Sequence, residues 1–260
     1  MGAYGVGCYS SSDEPPDTLW TKTFGGINEE KGKSVQQTVD GGYIIIGHTS
    51  TFGNGSEDTW LVKTDLNGNE EWNQTFGGSS SDYGHSIQQT TDGGYIIAGY
   101  TQSYGNGGAD VWLIKTDSNG DSLWTKTFGG SSSDLGFSVQ QTVDSGYIIA
   151  GYTQSYGNGG TDVWLIKTNS QGIEEWSQTF GGSEDDEAYS IQQTSDGGYI
   201  LLGRTQSYGN GVADVWLIKT DSDGTEEWNQ TFGGSENDYG FSVEQTNEGD
   251  FYNLLIERTK

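Results

Sequence analysis

The chain repeats itself. The motif Trp-x-x-Thr-Phe-Gly-Gly occurs at Trp20, Trp72, Trp124, Trp176 and Trp228, a constant step of 52 residues, and a second series at Trp60, Trp112, Trp164 and Trp216 keeps the same step. All nine tryptophans therefore belong to one repeat, and five such units account for the 260 residues. The turn Asp40-Gly-Gly-Tyr43 recurs in register at Asp92, Asp144 (as Asp-Ser-Gly-Tyr) and Asp196. A period of this length makes each copy one supersecondary unit that cannot bury its apolar face alone, so the copies must pack on one another.

Within a unit the pattern is entirely β. Ser86–Thr90 reads as a short strand, and Asp92-Gly-Gly94 as a tight turn, because glycine supplies the positive φ that hairpins need. Tyr95–Thr101 and Val111–Thr116 are apolar on both faces, as strands covered on both sides are, with the loop Tyr104–Gly108 between them. A turn at Ser118–Asp121 leads to a last strand, Leu123–Phe128, with mixed faces. The acidic stretch Ser183–Glu187 aligns with the serine-rich loop at Ser131–Asp134 and reads as loop; no segment carries helical periodicity with caps. Four antiparallel strands in about 50 residues, marked by Trp and Gly, make a propeller blade. The fold class expected is all-β, a five-bladed β-propeller, with whole blades over about 34–78, 86–130, 138–182 and 190–234.

The fifth blade is shared between the ends. Advancing the N-terminal residues by one repeat sets Cys8 on Trp60, Asp13 on Asp65 and Pro15-Pro16 on the turn Asn67-Gly68. Residues 8–26 then supply third and fourth strands, and residues 242–260 the first two, Ser242–Thr246 and Phe251–Ile256. This closure satisfies sheet edges that both ends would otherwise expose. The alternative is an arc of a larger ring, since the N-terminal copy has lost its Trp and its turn Gly. Either way residues 1–260 form one domain, expected to be a monomer. Gly5-Val-Gly-Cys8 loosely resembles a lipoprotein cleavage site, but no apolar stretch precedes it.

The unit resembles the SBBP-type β-propeller repeats of bacterial and archaeal surface proteins, through Asp110–Trp124, Thr127-Phe-Gly-Gly130 and Gly146–Thr153. A weaker likeness to PQQ-type propeller repeats lies in the same turn-then-Trp stretch. The resemblance covers almost the whole chain and implies the fold and an extracellular or cell-envelope setting; it implies no single activity.

Charge narrows the partners. With 37 acidic and 11 basic residues the net charge is −26, which repels phosphate backbones, so no nucleic acid is expected. One cysteine supports neither a disulfide framework nor a cysteine zinc site. No apolar run approaches the roughly 18 residues of a membrane span.

Two sets of repeated loop residues are candidates for binding. Glu30, Asp82, Asp134, Asp186 and Asp238 stand in the loop from the fourth strand of one blade to the first of the next, and an acidic ring there suits Ca²⁺ or a cationic ligand. The same residues equally suit turn capping through backbone N–H bonds. Tyr104, Tyr156 and Tyr208 with Asn106, Asn158 and Asn210 offer an aromatic plate beside an amide, suited to a glycan; the competing reading is blade packing and an Asn-Gly turn. The turns at Asp65–Asn69, Asp117–Asp121 and Asp221–Thr225 lack the spacing of a calcium loop and read as hairpin turns. Asn73 and Asn229 match glycosylation acceptors within expected strands.

Catalysis tends to break repeat symmetry, because nucleophile, base and oxyanion donor are different groups. The symmetry breaks are few: His48 stands where other copies have Tyr100, Tyr152 and Arg204, and His85 where they have Phe137, Tyr189 and Phe241. Both read as substitutions at aromatic packing or edge positions. Two carboxylates of an acidic ring at glycosidase spacing keep a hydrolase open as an alternative. The function expected is a non-catalytic binding module engaging a glycan or a surface protein, with a structural or adhesion module as the other reading.

Overall fold

The computed structural model describes residues 20–246 and the strands at 251–253 and 256–259. The first sheet contains β1 (Glu30–Gln37), β2 (Tyr43–Thr49), β3 (Asp58–Thr64) and β4 (Glu70–Phe76); the second, β5 (Asp82–Gln89), β6 (Tyr95–Thr101), β7 (Asp110–Thr116) and β8 (Ser122–Phe128). The third contains β9 (Asp134–Gln141), β10 (Tyr147–Thr153), β11 (Asp162–Thr168) and β12 (Glu174–Phe180), and the fourth β13 (Asp186–Gln193), β14 (Tyr199–Thr205), β15 (Asp214–Thr220) and β16 (Glu226–Phe232). Each is a four-stranded antiparallel meander, the blade of a propeller. First strands begin four residues before the expected Ser86, at Asp82 and its equivalents, so the preceding loops are shorter than the sequence suggested.

The core lies between blades. Ile44, Ile46 and Leu61 of the first sheet pack with Ile87, Tyr95, Ile97, Trp112 and Ile114 of the second, and the next two interfaces repeat the arrangement. Trp72, Trp124 and Trp176 are the wedges: each meets the Tyr that opens the second strand of the next blade, at 5.9 to 6.0 Å between centroids. Each ring also covers the turn glycine of that blade, Gly120, Gly172 or Gly224, where a Cβ would come within 2.6 Å of the indole. The Trp and the Gly recur together because one lies on the other.

The inner strands are stitched blade to blade. The Oε1 of Gln36, Gln88, Gln140 and Gln192 accepts the backbone N–H of Gln89, Gln141, Gln193 and Gln245 in the following blade, at 2.5 to 2.6 Å. At the other end of these strands Asp82, Asp134, Asp186 and Asp238 donate their backbone N–H to the carbonyls of Glu57, Ala109, Thr161 and Ala213. A lysine at the same place in each third strand, Lys63, Lys115, Lys167 and Lys219, is buried and pairs with the turn aspartates Asp40, Asp92, Asp144 and Asp196 at 2.8 to 3.0 Å.

A fifth blade begins with β17 (Asn237–Gly240) and β18 (Val243–Gln245), which pair with β20 (Ile256–Thr259) and β19 (Phe251–Asn253) respectively. First strands of all five blades line one cavity of about 320 Å³, from Val35 and Gln36 round to Val243 and Glu244. The expected closure is not seen among the described residues. No ladder joins the two ends, residues 20–26 form no strand, and the third strand expected at Cys8–Asp13 lies outside the described residues. Trp20 nonetheless takes a wedge's place, 5.7 Å from Tyr43 and over Gly68. Val35 is 63% exposed where Ile87, Val139, Ile191 and Val243 are 6 to 7% exposed, because no described residue covers it as the preceding blade covers the others.

Candidate functional site

The expected acidic ring does not form an open mouth. Asp82, Asp134, Asp186 and Asp238 are buried, because the first strand starts at each of the first three, and one residue before Asp238, and draws the side chain into the blade. Their Oδ2 atoms accept the N–H of Gly78, Gly130, Gly182 and Gly234 at 2.8 to 2.9 Å. Asp82 also accepts the hydroxyls of Thr101 and Ser103, and Asp134 those of Thr153 and Ser155. Glu30 does the same for Gly26 and Thr49. A second buried aspartate, Asp58, Asp110, Asp162 or Asp214, flanks each loop, and its carboxylate and that of Asp82, Asp134, Asp186 or Asp238 converge on the first glycine of the Gly-Gly pair, leaving no room for a Cβ. Burial, with the neighbouring carboxylate adding to it, pushes the Asp110 and Asp162 carboxyls up. Among the described residues no three His, Cys, Asp or Glu side chains are gathered as a metal would need.

The tyrosines stand differently. Tyr104, Tyr156 and Tyr208 are 47 to 48% exposed. Their hydroxyls donate to the carbonyls of Gly77, Gly129 and Gly181 in the preceding blade at 2.9 to 3.0 Å. Their rings tilt against Trp112, Trp164 and Trp216 at 5.2 to 5.6 Å. Phe52 lies likewise on Trp60. One edge of each Tyr is thus fixed, and a face is left open to solvent.

At Tyr156 and Tyr208 that face borders a cleft between consecutive blades. Behind Tyr156 it measures about 540 Å³ and is lined by Thr127, Phe128, Gly129, Trp164, Glu174, Ser177, Gln178 and Thr179. Behind Tyr208 the equivalent cleft, about 390 Å³, is lined by Thr179, Phe180, Gly181, Trp216, Glu226 and Asn229. Volumes of this size hold a small ligand. Sequence reasoning found the tyrosines but missed Glu174, Gln178 and Glu226. They lie in fourth strands, whose repeated Glu-Glu-Trp-x-Gln-Thr-Phe pattern reads as an edge strand protected by charge.

Asn106, Asn158 and Asn210 do not join the tyrosines in these clefts. Their backbone N–H groups bond Oδ2 of Asp110, Asp162 and Asp214 at 2.8 to 2.9 Å, which fixes the loop. The amides that do reach the clefts are in the fourth strand. Asn73 and Asn229 accept the indole N–H of Trp60 and Trp216 at 3.3 and 3.1 Å and donate to Glu70 and Glu226, so both glycosylation-like asparagines are already engaged. Thr125 and Ser177 replace them in the middle blades. The turns at Asp65, Asp117 and Asp221 are hairpin turns, each Asp Oδ1 accepting two backbone N–H groups.

No family model matches the chain. Over 181 residues it is 26% identical to the regulatory protein FlaEY of Caulobacter vibrioides, covering 59% of this chain and 19% of that protein's length. Among solved structures it resembles a protein of unknown function from Bacteroides caccae, with a TM-score of 0.53 and 11% identity over 86% of this chain and 70% of the other, a likeness of fold alone. An acylaminoacyl peptidase from Pyrococcus horikoshii is more distant, at a TM-score of 0.42 and 8% identity over 82% of this chain and 34% of that one, and bears on neither fold nor chemistry. No helix is long and apolar enough to cross a membrane among the described residues.

Proposed function

We propose that the protein is a non-catalytic binding module whose inter-blade clefts take glycans, one saccharide unit to a cleft. The observation that carries this reading is the recurrence of the same half-exposed Tyr in three blades, with a polar cleft beside Tyr156 and again beside Tyr208. The C–H face of a sugar stacks on an aromatic ring that is already immobilised, so little ordering entropy opposes binding. Its hydroxyls need both donors and acceptors, and Glu174, Ser177, Gln178 and Thr179 supply both. Repetition supports multivalent attachment to a surface bearing many copies of one glycan, where weak sites add through effective concentration. We place the module outside the cell or in its envelope, the setting implied by its likeness to SBBP-type repeats.

A glycan array tests this. The wild-type protein is expected to give saturable binding to a restricted set of glycans, and the combined variant Tyr104→Ala, Tyr156→Ala, Tyr208→Ala to lose it with its cooperative unfolding intact. Signals that survive in the folded triple variant, or a blank array from folded wild type, would count against the clefts.

A further inference from the structure

Six asparagines of the chain are followed directly by glycine: Asn54, Asn67, Asn106, Asn119, Asn158 and Asn210. In such a pair the glycine nitrogen, with no Cβ beside it, can approach the carbonyl carbon of the asparagine side chain. To bond there the nitrogen must lose its proton, and a backbone N–H already donating a hydrogen bond is held back from doing so. The pair is the same six times, so differences among the sites come from the fold.

The fold sorts them into two groups. Asn67-Gly68 and Asn119-Gly120 belong to hairpin turns in which the glycine N–H donates to the carbonyl of Asp65 or Asp117, at 3.1 and 3.2 Å. Both glycines are also buried, under the indoles of Trp20 and Trp72. In the first blade Gly55 is exposed, but its N–H donates to Oδ2 of Asp58 at 3.0 Å, beside that of Asn54. The corresponding loops of the next three blades differ. There the aspartate Oδ2 takes the N–H of Asn106, Asn158 or Asn210, while the N–H groups of Gly107, Gly159 and Gly211 have no acceptor among the described residues. Asparagine and glycine are both exposed at all three places, so water reaches them. Among the described residues no hydrogen bond holds the side-chain amide of Asn106, Asn158 or Asn210 either.

We propose that Asn106, Asn158 and Asn210 are sites of spontaneous deamidation, converting through a cyclic imide to aspartate and isoaspartate, while the fold protects Asn54, Asn67 and Asn119. Hydroxide takes the glycine N–H proton, the nitrogen bonds to the side-chain carbonyl carbon, and the amide nitrogen leaves as ammonia with a proton from water. Water then adds to one of the two imide carbonyls. Cleavage at the side-chain carbonyl gives aspartate; cleavage at the backbone carbonyl gives isoaspartate, with the chain running through the side-chain carbons. Each conversion puts a new carboxylate in a loop that is pinned by a buried one, Asp110, Asp162 or Asp214.

Peptide mapping by mass spectrometry, after incubation of the folded protein in mildly alkaline buffer, tests this, with the same incubation in guanidinium chloride as the reference. The unfolded chain is expected to convert at all six sites at similar rates. In the folded protein Asn106, Asn158 and Asn210 should convert about fivefold faster than Asn54, the worth of one backbone hydrogen bond. Their lead over Asn67 and Asn119 should be larger, since those glycines are covered as well. Conversion at the three sites should quicken as pH rises, because the attacking nitrogen has to be deprotonated. Equal conversion at all six sites of the folded protein, conversion led by Asn54, or three loop sites that stay intact when folded and convert only when unfolded would overturn the proposal.

Discussion

Ser145 adopts a φ of 69° in the turn where the other blades have Gly41, Gly93 and Gly197 at 85 to 90°. A Cβ on any of those glycines would meet nothing within 4 Å, so what distinguishes Ser145 is the left-handed backbone and no clash. Left-handed conformation costs a non-glycine residue about 1 to 2 kcal/mol, and part of that is offset by the unfolded-state entropy of glycine. Ser145→Gly is therefore expected to stabilise the protein by about 0.5 to 1 kcal/mol, seen as a higher urea midpoint at unchanged slope; a lower midpoint would contradict the assignment. At this scale the sequence was informative wherever a residue recurs. The turn glycines were read correctly as turn glycines, but the reason Gly120 follows Trp72 by 48 residues is a contact between blades, which no local rule exposes. Asp82 was legible as a loop residue with two possible roles, and its burial became apparent only with the strand that starts at it.

Inner strands hold the blades together through the Ser-x-Gln-Gln segment. Gln140 receives the N–H of Gln193 at 2.6 Å, and Ser138 that of Ile191 at 3.2 Å. Gln140→Leu leaves a donor between blades without its acceptor, which costs about 1 to 3 kcal/mol. The expected result is a lower denaturation midpoint, with Gln171→Leu, on an exposed hairpin turn, as the control that leaves it in place. Second and third strands were placed to within a residue from their unbroken apolar runs, since a strand covered on both faces has no other reading at that length. First strands were placed four residues late because their opening segment, Asp82-Tyr-Gly-His85, carries a polar residue, a glycine and a bulge that hide the alternation. The fourth strands were found, but their role as cleft walls was not: Glu174 and Gln178 acquire it only when the next Tyr is brought alongside.

Across the described residues five inner strands line one open cavity, and the interfaces between the blades repeat. Repetition gives two kinds of location with different consequences. The rim cleft recurs, behind Tyr156 and behind Tyr208, and suits a ligand bound more than once, while the row of inner-strand residues His85, Phe137, Tyr189 and Phe241, whose rings meet from blade to blade, occurs once and is where the copies differ. The rim was partly legible in the sequence, through Tyr104, Tyr156 and Tyr208, because a repeated residue announces itself. The inner row was legible as a packing position, at His85, Phe137, Tyr189 and Phe241, but not the contact of these rings with one another across blades, which no local pattern exposes. The central claim, that the rim clefts bind independently, is tested most directly by counting ligands. Native mass spectrometry of the protein with a monovalent glycan taken from the array should show more than one bound per chain, the number falling by one with each of Tyr104→Ala, Tyr156→Ala and Tyr208→Ala. A single glycan per chain, unaffected by any of the three substitutions, would contradict it.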